Sequence, residues 1–310
     1  MPTPRHDEVR IRIRATTVTA GDCELRGLRF SFGLRLLVRM LMGPLRPRRK
    51  ILGQEFAGEV EAVGTNVQLF KQGDRVFGTT GFRFGAYAEY ICLPESSRDR
   101  ALTTKPANMS YAEAAAVPTG GLEALHFLRK ARSLDGKRVL IYGGGGGIGT
   151  YAVQLAKFYG AHVTGVDGPE KQDLMRALGA DRVIDYTQGD LTPKGGTYDV
   201  IFDVVGKSPF SASLASLGVR GDYLLGNPRL STMVRGLWTS KKGGKKVVFG
   251  AATQRSADLV FLRELIEQGK IRSVIDRQFP LEQIPAAHRY FETGHARGKV
   301  VISTEPSTGP

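Results

Sequence analysis

The sequence predicts a two-domain α/β chain in which a doubly wound parallel sheet is inserted into a twisted β domain. Three observations predict it. An apolar strand at 138–142 runs straight into a glycine turn ending at Gly149; strands and helices alternate from there to about residue 249; and short apolar runs broken by glycine precede it. The 310 residues suit two domains, and 41% apolar residues are enough for ordinary cores.

In chain order, residues 9–13, 57–64, 74–78 and 87–92 read as strands of the first domain, with Tyr87 and Tyr90 as alternating packing aromatics. Helices over 110–116 and 122–131 lead into the 138–142 strand. In the turn that follows, Gly144, Gly146 and Gly149 match G-x-G-x-x-G. The first permits the tight turn, the second lets backbone approach a pyrophosphate, and the third lets helix and strand pack closely. Gly147 and Ile148 complete the turn, and the phosphates sit at the N-terminus of the helix over 150–159, where free N–H groups favour negative charge. A second strand over 161–166 ends at Asp167, 18 residues after Gly149, close to the ~20 at which an acidic residue meets the adenosine ribose.

The alternation continues with a helix at 174–178, strands at 182–186 and 198–205, a helix at 210–217 and strands at 223–225 and 246–249. Ligands bind beyond the carboxyl ends of such strands, which marks Val205 and Gly206 after one of them and Gly226 with Asn227 after the next. The stretch 228–246 is long for a connection, fitting a flap over the cofactor or a contact with another subunit. A helix at 259–268, a strand near 274–275, a helix at 284–292 and a final strand at 298–302 return the chain to the first domain. The boundaries are therefore 1–119, 120–252 and 253–310.

Two cysteines, Cys23 and Cys92, exclude a disulfide scaffold and point to a reducing, cytoplasmic setting. No apolar run is long enough to cross a membrane, and the start lacks the apolar core of a signal peptide. The net charge is +14 and the isoelectric point 9.9. Much of it is local: Arg35, Arg39, Arg46, Arg48, Arg49 and Lys50 alternate with apolar residues in a candidate basic amphipathic helix, and Lys241, Lys242, Lys245 and Lys246 form a second cluster. Solvated surface is the default reading of both, and contact with nucleic acid or a membrane is not expected.

Gly53-Gln54-Glu55-Phe56-Ala57-Gly58-Glu59-Val60, the Gly73-Asp74-Arg75-Val76 turn, Ala86-Tyr87-Ala88-Glu89-Tyr90, the glycine turn with Ala152 to Lys157, and Gly298-Lys299-Val300-Val301 follow one another across nearly the whole chain. In order and spacing they resemble the medium-chain dehydrogenase/reductase superfamily, and within it the zinc-independent quinone oxidoreductase, or zeta-crystallin-like, branch. The resemblance implies a GroES-like β domain, a Rossmann domain and a homodimer. Relatives carry a further β-hairpin ahead of 9–13; its absence is expected to expose a sheet edge.

Two cysteines cannot supply a four-thiolate structural zinc site. For a catalytic zinc, the resemblance places the ligand positions on Thr19 and Gln54, neither a thiolate nor an imidazole. Cys23, nearby, reads as a small buried hydrophobe. Without a metal to hold the oxygen's charge, acceptors that delocalise it are favoured: a quinone or an α,β-unsaturated carbonyl. By resemblance Thr19, Asp22, Gln54 and Thr119 line the nicotinamide and substrate, and Lys299 joins the cofactor-binding residues. Asp22 and Glu55 are expected to orient backbone and Arg26, and His126 to be structural.

The cofactor signals conflict. Asp167 suits the ribose hydroxyls of NADH, whereas Lys171 and Tyr186 fall where relatives hold the extra phosphate of NADPH; the resemblance leans to NADPH. The alternatives are a nucleotide-binding protein with little turnover, attached to RNA or an anionic surface through its basic segments, and an alcohol dehydrogenase.

Overall fold

The computed structural model describes residues 1–29, 35–36, 38–40, 43, 50–188, 197–241 and 243–304. Its backbone forms two units. One contains Met1–Thr119, Gln254–Glu267 and Ser273–Pro310, the other Gly120–Thr253 and Gln268–Arg272.

The first unit is built on β1 (Glu8–Val18), whose alternation puts Val9, Ile11 and Ile13 on one buried face against Phe56, Val60, Val76 and Leu93. Along a seven-stranded sheet the order is β12 (Ile275–Pro280), β13 (Lys299–Ser303), β1, β2 (Glu55–Val63), β3 (Arg75–Thr79) and β5 (Leu102–Thr104). β4 (Tyr90–Pro94) pairs with the first half of β1, and β13 with the second half. The first strand is therefore interior, and the expected exposed edge does not arise there; the ends of the main path are β12 and β5. Among the described residues this unit also carries helices α1 (Ala20–Gly27), α2 (Tyr111–Ala115), α8 (Ser256–Glu267) and α9 (Ile284–Glu292). Thr19 with Asp22 and Ser110 with Glu113 form capping boxes that set where α1 and α2 start.

The second unit holds six parallel strands in the order β11 (Lys246–Phe249), β10 (Leu217–Leu225), β9 (Tyr198–Asp203), β6 (Arg138–Tyr142), β7 (His162–Asp167) and β8 (Arg182–Asp185). Helix α3 (Pro118–Leu128) leads into it, and α4 (Gly149–Phe158), α5 (Gln172–Ala177), α6 (Phe210–Ser216) and α7 (Leu230–Lys241) connect its strands. Leu140, Ile201, Tyr223 and Leu225 lie in one buried cluster, as near-continuous apolar strands require when both faces are covered. Strand order reverses between β6 and β9, so the turns after these two strands flank the switch point where such sheets take ligands.

One sequence expectation needs correction. The strand expected over 87–92 begins only at Tyr90, which leaves Tyr87 in the turn before it. The stretch 228–246 contains a twelve-residue helix, α7. Of the basic stretch near residue 40, Arg35, Leu36 and Val38 to Met40 are helical, while Arg46, Arg48 and Arg49, like Lys242 in the second cluster, lie outside the described residues.

Candidate functional site

In the second unit, Gly143 takes φ +79° directly after β6, a left-handed conformation that favours glycine. The N–H groups of Gly143 and Gly144 both donate to the Val166 carbonyl, at 2.8 and 3.3 Å, strapping the turn to β7. A Cβ on Gly149 would stand 1.9 Å from the Gly143 carbonyl oxygen, so the third glycine is demanded by packing. A Cβ on Gly146 would meet nothing nearer than 3.5 Å. Space at the second glycine is thus left open for a ligand. Past Gly147 and the N-cap Ile148, α4 begins with no side-chain cap; Thr150 N and Tyr151 N turn back to the Gly146 and Ile148 carbonyls at 2.9 and 3.1 Å, and the positive end of the helix dipole faces the turn, where it favours an anion. The turn fits a dinucleotide pyrophosphate.

Asp167 ends β7. One of its carboxylate oxygens accepts from Gly145 N at 2.9 Å; the other accepts from Gly168 N at 2.9 Å and lies 3.2 Å from Lys171 Nζ. Both side chains are buried, so the two residues that pull the cofactor choice in opposite directions are partners. Tyr186 opens the short turn after β8 and is exposed. Beyond β9, Val205 N and Gly206 N donate to one oxygen of Asp203 and Ser208 N to the other. Gly206, at φ +67°, has room for no side chain, since its Cβ would fall 1.9 Å from the Asn227 carbonyl oxygen, and Gly226 N donates to the Asp203 carbonyl at 2.8 Å. Asp203 is therefore the organiser of both loops. Sequence reading passed over it as a strand residue; the signal was an Asp ending a strand with Gly and Ser three and five positions on.

In the first unit Thr19, Asp22 and Gln54 come together. Asp22 accepts from Thr19 N at 3.1 Å, Thr19 Oγ1 at 2.7 Å and Gly53 N at 2.9 Å. Thr19 Oγ1 also lies 2.8 Å from Gln54 Oε1. One hydroxyl hydrogen serves one acceptor, so turning the Gln54 amide over, to donate its N–H to Thr19, satisfies both. Burial pushes the Asp22 carboxyl above its ordinary range despite these bonds.

Thr119 belongs to a separate buried cluster. Glu55 accepts from Thr119 N and Oγ1, both at 2.7 Å, and from the Thr17 hydroxyl, and it pairs with Lys299, whose Nζ donates to Thr119 Oγ1 at 3.0 Å. Glu55 thus orients Thr119 and Lys299 rather than Arg26, which pairs with Glu292 at 2.7 Å. Asp22 does not reach Arg26 either. Tyr87, expected to be a packing residue, places its hydroxyl 3.0 Å from His288 Nε2, and His288 Nδ1 lies 3.4 Å from the Cys23 sulfur. Tyr87, His288, Arg26 and Ile284 line a cavity of about 320 Å³. His126 sits 3.1 Å from the Thr253 hydroxyl, as expected of a structural residue.

Burial, and then the charge of Arg26, hold the His288 imidazole below its ordinary 6.5. Burial, reinforced by Glu292, pushes the Cys23 thiol up to about 12. Because the unfolded chain binds a proton at His288 that the folded chain resists, this stabilisation is present above 6.5 and is lost as pH falls through the folded value. Asp22, shifted the other way, opposes that slope. The expected result is that His288→Gln loses less melting temperature than the parent between about pH 7.5 and about pH 5.5; equal losses in a pair of calorimetric scans contradict this.

A glycine-turn parallel sheet and a strand-rich unit with a hydroxyl, carboxylate and amide cluster define a dinucleotide-binding fold of dehydrogenase type. Residues 5–102 match the family model described as alcohol dehydrogenase GroES-like domain, and residues 178–302 that of zinc-binding dehydrogenase. The chain is 32% identical over 320 residues to a chloroplast envelope quinone oxidoreductase homolog of Arabidopsis thaliana, covering 97% of this chain and 91% of that one. It is 31% identical over 317 residues to an NADPH-dependent alkenal/one oxidoreductase of the same plant, covering 99% and 74%. Among solved structures, a quinone oxidoreductase from Coxiella burnetii superposes with TM-score 0.84 at 30% identity, covering 98% and 93%. The chain belongs to the medium-chain dehydrogenase/reductase superfamily, in its quinone oxidoreductase branch.

The second family description implies zinc, and the donor set here does not fit it. Thr19 and Gln54 offer neutral oxygens, both Asp22 oxygens are taken by Thr19 and Gly53, and among the described residues no three His, Cys, Asp or Glu side chains are grouped to hold a metal.

Proposed function

We propose that this chain is a zinc-independent, NAD(P)H-dependent oxidoreductase that transfers hydride to a quinone or an α,β-unsaturated carbonyl. The observation that carries the reading is the Thr19, Asp22 and Gln54 cluster: hydrogen-bonding groups stand where zinc-using relatives place metal ligands. NAD(P)H supplies the hydride when bound. The second N–H of the Gln54 amide holds the acceptor oxygen while the Thr19 hydroxyl, committed to Asp22, accepts the first N–H and so positions that amide; conjugation spreads the incoming charge through the substrate, so a neutral donor suffices. Asp22 fixes Thr19 through its capping bonds. The turn from Gly144 to Gly149 carries the pyrophosphate. Thr119, with its hydroxyl committed to Glu55 and Lys299, acts as a rigid support rather than a mobile donor.

NADPH is the preferred form. Lys171 offsets the charge of Asp167, which reduces the repulsion an extra phosphate would meet. The test is oxidation at 340 nm of NADPH and of NADH with a quinone and with an enone, in chelator. Acceptor-dependent turnover that survives the chelator is expected, with Lys171→Ala lowering kcat/KM for NADPH at least about tenfold and leaving NADH nearly unchanged. No turnover with either acceptor sinks the reading.

The two free cysteines, Cys23 buried and Cys92 half-buried, support a reducing, cytoplasmic location. The chain pairs with a second copy beside β11, the terminal strand of the six-stranded sheet, as the family resemblance implies. Light scattering should return twice the 33.7 kDa of one chain. A monomer mass would refute the pairing.

A further inference from the structure

Asp167 ends β7, where dinucleotide folds place the acid that bonds the adenosine ribose. Its carboxylate is already engaged. One oxygen accepts from Gly145 N at 2.9 Å, while the other accepts from Gly168 N at 2.9 Å and faces Lys171 Nζ at 3.2 Å. An ionised carboxylate has about four acceptor sites, so little of this one is left for a ribose approaching from solvent, and the residue is only 8% exposed.

The bond to Gly145 falls at the middle of the glycine turn. Gly143, Gly144 and Gly146 donate their N–H groups to backbone carbonyls, and Gly145 N, between them, reaches Asp167. The segment after Asp167 grips the turn as well. The stem of Lys171 lies over Gly145, since a Cβ there would stand 2.6 Å from Lys171 Cβ and 2.8 Å from its Cδ. Met175, on α5 and fully buried, closes against Gly144 and Gly165: Cβ atoms on those glycines would come 2.7 and 2.6 Å from its sulfur. Truncating Asp167 would leave the Gly145 N–H buried without its acceptor, and a buried donor left unpaired costs its full desolvation.

We propose that Asp167, clamped by Lys171, is a positioning residue that props the pyrophosphate turn and does not read the adenosine ribose. The acid then raises no barrier to the 2′-phosphate of NADPH, because its charge is offset within the pair and its oxygens are spent on the turn and on its own loop. This role rests on, and refines, the reading of NAD(P)H as the bound cofactor.

The experiment compares two variants of the full-length chain with the same net charge, Asp167→Asn/Lys171→Met and Asp167→Ala/Lys171→Met. Asparagine keeps an acceptor for Gly145 N, and alanine does not. By fluorescence titration the asparagine variant should bind NADH and NADPH within about threefold of the parent, and the alanine variant should bind both at least about tenfold more weakly, with the ratio between them unchanged. Without cofactor, the alanine variant should melt at least about 2 °C below the asparagine variant. The parent should bind NADH and its adenosine 2′-deoxy analogue within about threefold of each other.

An alanine variant that loses NADH while keeping NADPH, equal melting temperatures of the two variants without cofactor, or a loss of about tenfold or more for the deoxy analogue on the parent would each overturn the proposal. The analogue comparison uses only the parent chain, so it decides the matter even where the alanine variant does not fold. Failure of the cofactor reading shows separately, as a parent that binds neither nucleotide, and the melting comparison then still tests the prop.

Discussion

Lys299→Met is expected to destabilise the first unit by about 3–5 kcal/mol, the range for removing one partner of a buried ion pair. The cause is local. Glu55 is fully buried and Lys299 nearly so, and the pair is completed by Thr17 and by Thr119 through both its backbone and its hydroxyl. With the ammonium gone, a carboxylate remains in a site without water to solvate it. Adding Glu55→Gln removes that charge while keeping an acceptor for Thr119 N, so the double variant should be more stable than Lys299→Met alone by about 1–3 kcal/mol. Chemical denaturation of the parent and of both variants reads the difference. A single variant within about 1 kcal/mol of the parent would show that the pair matters little.

Gly149→Val and Gly146→Val are expected to part company. At Gly149 the new Cβ meets backbone at 1.9 Å from Gly143 O and 2.7 Å from Gly144 Cα, and backbone cannot swing aside as a side chain can. The turn must open, with loss of melting temperature and of NAD(P)H binding together. At Gly146 the nearest atom is 3.5 Å away, so the fold should survive with its melting temperature little changed. What is lost there is the close approach of backbone to pyrophosphate. Hydrogen bonds to a charged group are worth about 1.5–3 kcal/mol each, so NAD(P)H affinity should fall about ten- to hundredfold or more. Fluorescence titration with NADPH alongside a thermal melt separates the cases. Unchanged affinity in Gly146→Val would remove the turn from the binding site.

The glycine turn and the strand and helix alternation are local properties, and the chain alone determined them; the dehydrogenase-type architecture was legible through the resemblance of its motifs, in order and spacing, to a known family. Apolar runs mark strands and a glycine pattern marks a turn wherever they occur, because each follows from the conformations open to a few consecutive residues. The same holds for the Thr19 and Asp22 capping box, whose partners are three residues apart. Which polar residues become partners across the fold is another matter. Glu55 with Lys299, Tyr87 with His288 and Cys23 with His288 are separated by 200 residues or more, and no spacing rule links residues brought together only by strand order. Arg26 illustrates the point: it had nearby acids at Asp22 and Glu55, yet the sheet brings it to Glu292. Helix α7 shows the limit most clearly. Its stripe of Leu230, Val234, Leu237 and Trp238 has the spacing of a core-facing helix, and only the tertiary structure decided that Gly236 packs inward and the stripe faces out. The reason is that periodicity fixes which residues share a face, while the side on which the neighbouring strand lies depends on the whole sheet.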